Sequence, residues 1–412
     1  MINSVEKKYL KKLISKYTRK EPLLKNEYSL VGDAFEVNDI ISAAETLIKG
    51  KITMSEITKK FELEFAKFFK IKHALMVNSG SSANLLSMFA LINPKNKNIL
   101  KPGDECIVPA LCWSTSLWPI IQAGLKPIFV DIDLETFNIN LNDLEKKITK
   151  RTKAIVAVHV LGNSTNMDQF YSIVKKNKLA LIEDTCESLG SKYNNKYLGT
   201  FGRFGTFSFY VSHQITAGEG GMIVCNNSED YKIIHSLRAH GWDRGLSSKK
   251  NNSFNFVNSG FNLRPLDLTA AIGYSQFKRL RKMIKTRSDN RNKIISSIKN
   301  SKKWSNQISF LEPTKKLKPS WFGLPILINK KFLKHKKRYL KHLNSQGIDT
   351  RPIISGNFLN QPSIKLYGLN KSKKVFKNAQ EVEERGFFIG LHTNKIEKRE
   401  ISHLTNNLLK IN

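Results

Sequence analysis

The sequence predicts an α/β protein: a parallel sheet covered by helices on both faces, followed by a smaller α+β domain. Two observations carry that prediction. Short β-branched apolar runs at 106–109, 127–130, 154–158 and 179–182 alternate with amphipathic or polar stretches such as 142–148 and 167–177. Strands buried on both faces read as continuous apolar runs, and helices between them supply the crossovers of a parallel sheet. Beyond about residue 282 the pattern changes to helical periods broken by extended stretches, which marks a second domain.

The elements follow in chain order. Residues 1–30 read as a basic, partly helical arm. Apolar positions recur at helical spacing over 37–48 and 55–69, and a short strand follows at 73–77. After the alternating region, 206–210 and 221–225 add two strands around a glycine-rich turn. A helix over 283–298 leads into extended stretches at 320–328 and 351–354, with helices between them. The expected division is the arm at 1–30, a large domain at 31–282 and a small domain at 283–412.

With 412 residues, 40% of them hydrophobic, the chain can bury a substantial core, and wholesale disorder is excluded. Its 68 basic and 34 acidic side chains give a formal charge of +34. Lysine outnumbers arginine roughly four to one, whereas groove readers rely on the arginine fork. No zinc-finger spacing, leucine heptad or aromatic-basic signature accompanies the charge, so it reads as a solvated surface and not as a nucleic-acid site. No apolar run approaches the roughly 20 residues that span a bilayer. The basic amino terminus lacks the apolar core and cleavage site of a signal peptide. Cys106, Cys112, Cys186 and Cys225 have no zinc-type pairing and are too few for a disulfide scaffold. A cytoplasmic protein without membrane or nucleic-acid partners is expected.

Four stretches carry chemistry. Asn78-Ser79-Gly80-Ser81-Ser82-Ala83-Asn84 follows a strand and opens a helix, where small residues and free N–H groups suit an anion or a plain helix cap. Trp113 follows the next strand, placed either to stack on a flat ring or to fill the core. The apolar run Leu181-Ile182 ends in Glu183-Asp184, with Glu187 close behind. Acids there either pair with a cationic ring nitrogen or form structural salt bridges. The fourth stretch, Gly205 to Gly221, reads Gly-Thr-Phe-Ser-Phe-Tyr-Val-Ser-His-Gln-Ile-Thr-Ala-Gly-Glu-Gly-Gly.

That last stretch resembles the segment in which the DegT/DnrJ/EryC1/StrS sugar aminotransferases carry their Schiff-base lysine, with His213 standing at the lysine position. The resemblance runs through all four stretches and on to Gly260-Phe261-Asn262-Leu263-Arg264-Pro265. It implies the fold-type I pyridoxal-phosphate (PLP) fold, with a mostly parallel seven-stranded sheet in the large domain. A histidine in that frame is similar to the sugar 3-dehydratases of the family. One branch of these carries an iron–sulfur cluster, with cysteines largely in the segment matching 238–256. This chain has no cysteine after Cys225, so no cluster is expected. The other, cluster-free branch acts on a GDP-linked 4-keto-6-deoxyhexose and is the nearer match. It shares Arg238-Ala239-His240-Gly241-Trp242, Ser320-Trp321-Phe322-Gly323 and Gly356-Asn357-Phe358-Leu359.

The resemblance assigns roles residue by residue. The N–H groups of Gly80, Ser81 and Ser82, with the Ser208 hydroxyl, hold the cofactor phosphate. Trp113 stacks on the ring, Asp184 pairs with its nitrogen, and Glu187 lies near the ring substituents. Asn262 reaches the phosphate of a neighbouring subunit, which implies a homodimer. His213 is the catalytic base. An imidazole forms no stable covalent link to an aldehyde, so PLP and its pyridoxamine form (PMP) are expected to be held non-covalently. L-Glutamate is the amino donor and ammonia a product. An unperturbed imidazole, with a pKa near 6.5, suits proton abstraction at neutral pH. His240 is read as structural ahead of a proton relay, with catalytic support by His240 and Glu187 kept open. No metal is expected. The product's fate as a lipopolysaccharide O-antigen sugar follows from the resemblance alone. The competing readings are a dehydratase or aminotransferase-like enzyme on a CDP- or dTDP-sugar, and a non-catalytic regulator on the same fold.

Overall fold

A computed structural model of the chain describes residues 3–17, 28–32, 35–246, 254–369 and 376–411. Part of the expected basic arm and part of the 238–256 segment lie outside the described residues.

The main sheet is built from β1 (His73–Val77), β2 (Glu105–Pro109), β3 (Lys126–Val130), β4 (Thr152–Val158), β5 (Ala180–Asp184), β6 (Phe204–Ser208) and β7 (Gly221–Cys225). Their order is β1-β7-β6-β5-β4-β2-β3. The neighbours β3, β2, β4, β5 and β6 pair in parallel, whereas β7 runs antiparallel to both β1 and β6. One reversed strand therefore sits in an otherwise parallel sheet. The five residues of β2, β6 and β7 are all buried, as expected for strands covered on both faces.

Because side chains alternate along a strand, β6 sends Phe204, Thr206 and Ser208 to one face and Phe207 to the other. Phe207 joins Phe61, Phe65, Phe69, Phe209 and Phe277 in an aromatic cluster that pins the helix Glu56–Phe69 to the sheet. Phe65 stacks on Phe69 at 4.6 Å and on Phe277 at 5.2 Å. The helix carries these rings at i, i+4 and i+8, so one face supplies the whole contact.

The helix Leu280–Lys299 leads to a second sheet of β8 (Ile308–Phe310), β9 (Gly323–Ile328) and β10 (Gly386–Gly390), in the antiparallel order β8-β9-β10. The expected extended stretch at 351–354 is corrected. Only Arg351 bridges to Phe388, and the chain then turns away, with Ile354 at φ 50°. Pro352 has no N–H for a ladder, so a β-branched run here does not become a strand. Its place in the sheet is taken by β10. A small sheet of Lys192–Tyr193, Lys196–Tyr197 and Leu317–Lys318 ties the segment after β5 to the segment before β9. Among the described residues, no helix is long and apolar enough to cross a membrane.

Candidate active site

The carboxyl ends of β1, β2, β4, β5 and β6 share one edge of the sheet, and all predicted site residues but His240 and Asn262 lie at these strand ends or in the connections that leave them. Parallel α/β sheets bind ligands at this edge because the loops and helix N-termini converge there. An open cavity of about 940 Å³ lined by Lys101, Lys153, Lys175 and Tyr171 contains none of the predicted site residues.

After β1 the chain turns at Ser79 and enters the helix Gly80–Leu91. Ser79 is the cap: its Oγ accepts the Ser82 N–H at 3.0 Å, and Ser82 Oγ donates to Asn78 Oδ1 at 2.6 Å. The Ser82 N–H expected to face an anion is thus engaged by the cap, leaving those of Gly80 and Ser81 at the helix start. Gly80 lies against Ser208 so closely that a Cβ on it would stand 2.6 Å from the Ser208 Cβ and 3.1 Å from its hydroxyl. Only glycine allows the helix start to approach the end of β6 in this way. The two strands thereby deliver a helix N-terminus and a hydroxyl to one spot.

One turn further along the same helix, Asn84 reaches the end of β5. Its Nδ2 donates to Asp184 Oδ2 at 2.7 Å, while its Oδ1 accepts the Thr206 hydroxyl at 2.6 Å. The Ser116 hydroxyl also donates to Asp184 Oδ2 at 2.7 Å, and the Cys186 N–H meets Oδ1 at 3.2 Å. A nine-tenths-buried carboxylate oriented by donors from three elements is built to hold its charge in one place. Glu183, one residue earlier, faces the other side of the strand. It accepts the N–H groups of Gly199, Phe201 and Gly202 at 2.9, 2.6 and 2.7 Å and contacts His159 Nε2 at 3.0 Å. Glu183 realises the structural reading of the acidic strand end, and Asp184 is held apart from that network by Asn84 and Ser116.

Trp113 caps the helix Ser114–Gln122 and is 56% exposed, so the core reading of this ring is overturned. Its indole is largely open to solvent. Glu187 accepts the Leu161 N–H at 2.9 Å, where Leu161 holds the left-handed φ of 51°. Burial, with Asp184 adding repulsion, pushes the Glu187 carboxyl up to about 7.

His213 sits in the connection between β6 and β7, its N–H donating to the Tyr210 carbonyl at 3.0 Å. The imidazole meets the ring of Phe322 edge-on at 5.1 Å and that of Tyr210 at 6.1 Å. Its Nδ1 is buried without a partner. Burial, and then the nearby Arg287 charge, push the imidazole down to about 3, which corrects the expectation of an unperturbed histidine. The ring is therefore neutral across the physiological range. Gln214, next in sequence, donates to the carbonyls of Glu187 at 2.5 Å and Ser320 at 3.0 Å.

Asn262 and His240 lie on an exposed segment. Arg264 connects them, donating to Asn262 Oδ1 at 3.0 Å and approaching His240 Nε2 at 3.4 Å. The segment is fastened beside β1 by Asn78 N–H to Leu263 O, at 3.1 Å. His240 has φ 61° and is exposed beside Arg264. Sequence reasoning missed Asn84, Ser116, Gln214 and Arg264 as participants. Asn84 and Arg264 stood inside recognised stretches, and Ser116 lies just beyond one.

The described residues match known proteins closely. The family model of the DegT/DnrJ/EryC1/StrS aminotransferase family covers residues 35–408. A GDP-4-keto-6-deoxy-D-mannose 3-dehydratase of Escherichia coli O55:H7 is 41% identical over 362 residues, covering 85% of this chain and 92% of that protein. The solved E. coli GDP-4-keto-6-deoxy-D-mannose-3-dehydratase with bound hydrated PLP superposes with a TM-score of 0.86 and 38% identity, covering 93% of this chain and 99% of that one. A structure of GDP-4-keto-6-deoxymannose-3-dehydratase with a trapped PLP-glutamate geminal diamine gives a TM-score of 0.85 at 38% identity, covering 93% of this chain and 100% of that one. This chain belongs to the DegT/DnrJ/EryC1/StrS aminotransferase family.

Proposed function

We propose that the chain is a nucleotide-sugar 3-dehydratase. It replaces the carbon-3 hydroxyl of a GDP-linked 4-keto-6-deoxyhexose by hydrogen, with glutamate as amino donor and PLP as a cofactor held without a covalent bond. The observation that carries this reading is a neutral, partly buried imidazole at position 213, where the family's aminotransferases place a lysine. The relative whose structure holds hydrated PLP, and the one holding a PLP-glutamate adduct, support the cofactor and the donor.

The residues present fit that cofactor. The cradle of Gly80, Ser81 and Ser208, which a Cβ at Gly80 would crowd, suits a phosphate. Asp184, oriented by Asn84 and Ser116, would hold a protonated ring nitrogen, and the open face of Trp113 would stack on the ring. When bound, the cofactor supplies an amine for the sugar ketone and an electron sink for bond cleavage.

His213 then moves the proton. Its neutral form can accept one at Nε2, and its low basicity favours passing that proton on to the departing hydroxyl. Glu187, about half protonated at neutrality, can in its protonated form donate a hydrogen bond to an oxygen beside it. Overall, glutamate is oxidised to the 2-oxo acid with release of ammonia, and the sugar loses one oxygen. Through water, that oxygen becomes the new keto oxygen, so atoms and electrons balance.

We also assign the active unit to a homodimer in which Asn262 of one copy approaches the phosphate cradle of the other, and we assign no iron–sulfur cluster. The absence of cysteine after Cys225 supports the latter.

A panel of GDP-, CDP- and dTDP-linked 4-keto-6-deoxyhexoses with PLP and glutamate tests the reading. The GDP-sugar is expected to give 3-deoxy product and stoichiometric ammonia. Accumulation of a 4-amino sugar, or preference for another nucleotide, would overturn the activity or the substrate respectively.

A further inference from the structure

Behind His213 the fold buries a cation that no carboxylate of the described residues neutralises. Arg287, on the helix Leu280–Lys299, is 5% exposed. Its Nη1 and Nη2 approach the carbonyls of Trp321 and His213 at 3.4 and 3.5 Å, and its Nε is buried without a partner. One turn along, the equally buried Arg291 does have an acid, Glu312, at 3.1 Å. A buried charge without a counter-charge is costly, so the position calls for a reason beyond packing.

The two carbonyls are informative. One belongs to His213 itself. The other precedes Phe322, whose ring borders the imidazole at 5.1 Å. Gln214 fastens the same segments from another side through the carbonyls of Glu187 and Ser320. Arg287 and Gln214 together join the β5 connection, the histidine turn and the entry to β9. Among the described residues, the charged or titratable groups around the imidazole and its arginine are Arg287 on the long helix, Tyr28 beside Arg287, Tyr210 on the histidine turn and Glu187 across Gln214. The Ser320–Phe322 side presents none.

We propose that Arg287 is a positioning residue for His213: its guanidinium holds the peptide that carries the imidazole and sets a fixed positive charge behind the ring. The inference rests on His213 being the base. Burial and the Arg287 charge act in the same direction on the imidazole, which agrees with the geometry.

Two variants separate charge from shape. Arg287→Gln keeps donors for the carbonyls and loses the charge, whereas Arg287→Lys keeps the charge. The readout is kcat against pH between 5 and 8 for 3-deoxy product, with PLP affinity and circular dichroism as controls for folding. In the wild type, His213 is expected to contribute no fall in kcat towards pH 5. Arg287→Gln should gain such an acid limb, with kcat falling progressively towards pH 5 and by no more than about fourfold at pH 6, the bound set by an unperturbed imidazole, and with KM within about threefold. Arg287→Lys should retain the wild-type profile. Any titration of Glu187 is common to all three proteins and cancels in the comparison.

A folded Arg287→Gln variant with the wild-type profile overturns the proposal. So does an acid limb of equal size in Arg287→Lys, which decides the matter should the Gln variant not fold. A fully active His213→Asn variant would instead remove the base assignment beneath it, a result distinguishable from either.

Discussion

Asn84 donates its amide to Asp184 across 2.7 Å, although the two residues stand 100 positions apart. The amide cannot flip without loss, because Thr206 donates to its oxygen at 2.6 Å. Helix and sheet are thereby locked so that the helix start at Gly80 and the carboxylate at Asp184 keep a fixed separation. Asn84→Ala should weaken PLP binding by about 30-fold, since a hydrogen bond to a buried charge is worth about 2 kcal/mol. Fluorescence titration of the cofactor, with thermal melts of the apoprotein as control, measures it. Affinity within about twofold of wild type would remove Asn84 from the site.

Gly80→Ala should fail at the cradle despite the better helix propensity of alanine. The added methyl would stand 2.6 Å from the Ser208 Cβ and 3.0 Å from the Cys186 Sγ, so the helix start or the end of β6 must shift. About 1–3 kcal/mol of destabilisation is expected from such overpacking. Urea melts read the stability, and PLP titration should show phosphate recognition weakened with it.

Two groups of the site should oppose each other in the pH dependence of stability. The Glu187 carboxyl rises from 4.5 to about 7 in the fold, so between those values the folded chain holds a proton the unfolded chain has lost. Its contribution is full below pH 4.5 and is lost as the pH rises through 7. The His213 imidazole falls from 6.5 to about 3, so there the unfolded chain binds the extra proton. Its contribution is full above pH 6.5 and is lost as the pH falls towards 3. Between 4.5 and 6.5 the slopes offset one another. Glu187→Gln should make stability rise with pH in that window, and His213→Asn should make it fall. Urea midpoints at half-unit pH steps decide the signs.

His213→Lys places a primary amine on the histidine turn. Borohydride reduction in the presence of PLP should leave a pyridoxyl mass increment on position 213 of that variant and none on position 213 of the wild type. The variant should lose 3-deoxygenation. Retention of deoxygenated product would show that the base lies elsewhere.

The parallel strands were legible because burial on both faces leaves an uninterrupted apolar run, and the helices at 37–48 and 55–69 because one face must carry the apolar side chains. The helix start after β1 was legible because small residues between a strand and a helix suit a cap, and Ser79 does cap it. Ser116 and Gln214 escaped notice because their meaning lies in partners 68 and 106 positions away, Asp184 and Ser320, and local pattern carries no trace of such pairs. Trp113 could not be placed from its neighbours, since a core ring and an open one have the same local sequence. β10 was missed for a different cause. Five residues, Gly-Phe-Phe-Ile-Gly, offer too short a period to separate a buried strand from a helix end. The shift of His213 was invisible as well, because burial belongs to the fold and not to the residue.

The reversal of β7 has a consequence for how this scaffold can vary. With β6 and β7 antiparallel neighbours, the connection that carries His213 starts and finishes at the same rim, and it is closed by Phe209 N–H to Gly220 O at 2.9 Å and Ala217 N–H to Phe209 O at 2.8 Å. Position 213 is thus a socket: what is plugged into it can be exchanged without disturbing the ladder that frames it. An amine there suits transfer of nitrogen to a sugar, and an imidazole there suits removal of oxygen from one. A single codon can separate two chemistries on one frame, provided that the surroundings, Arg287 among them, suit the group installed.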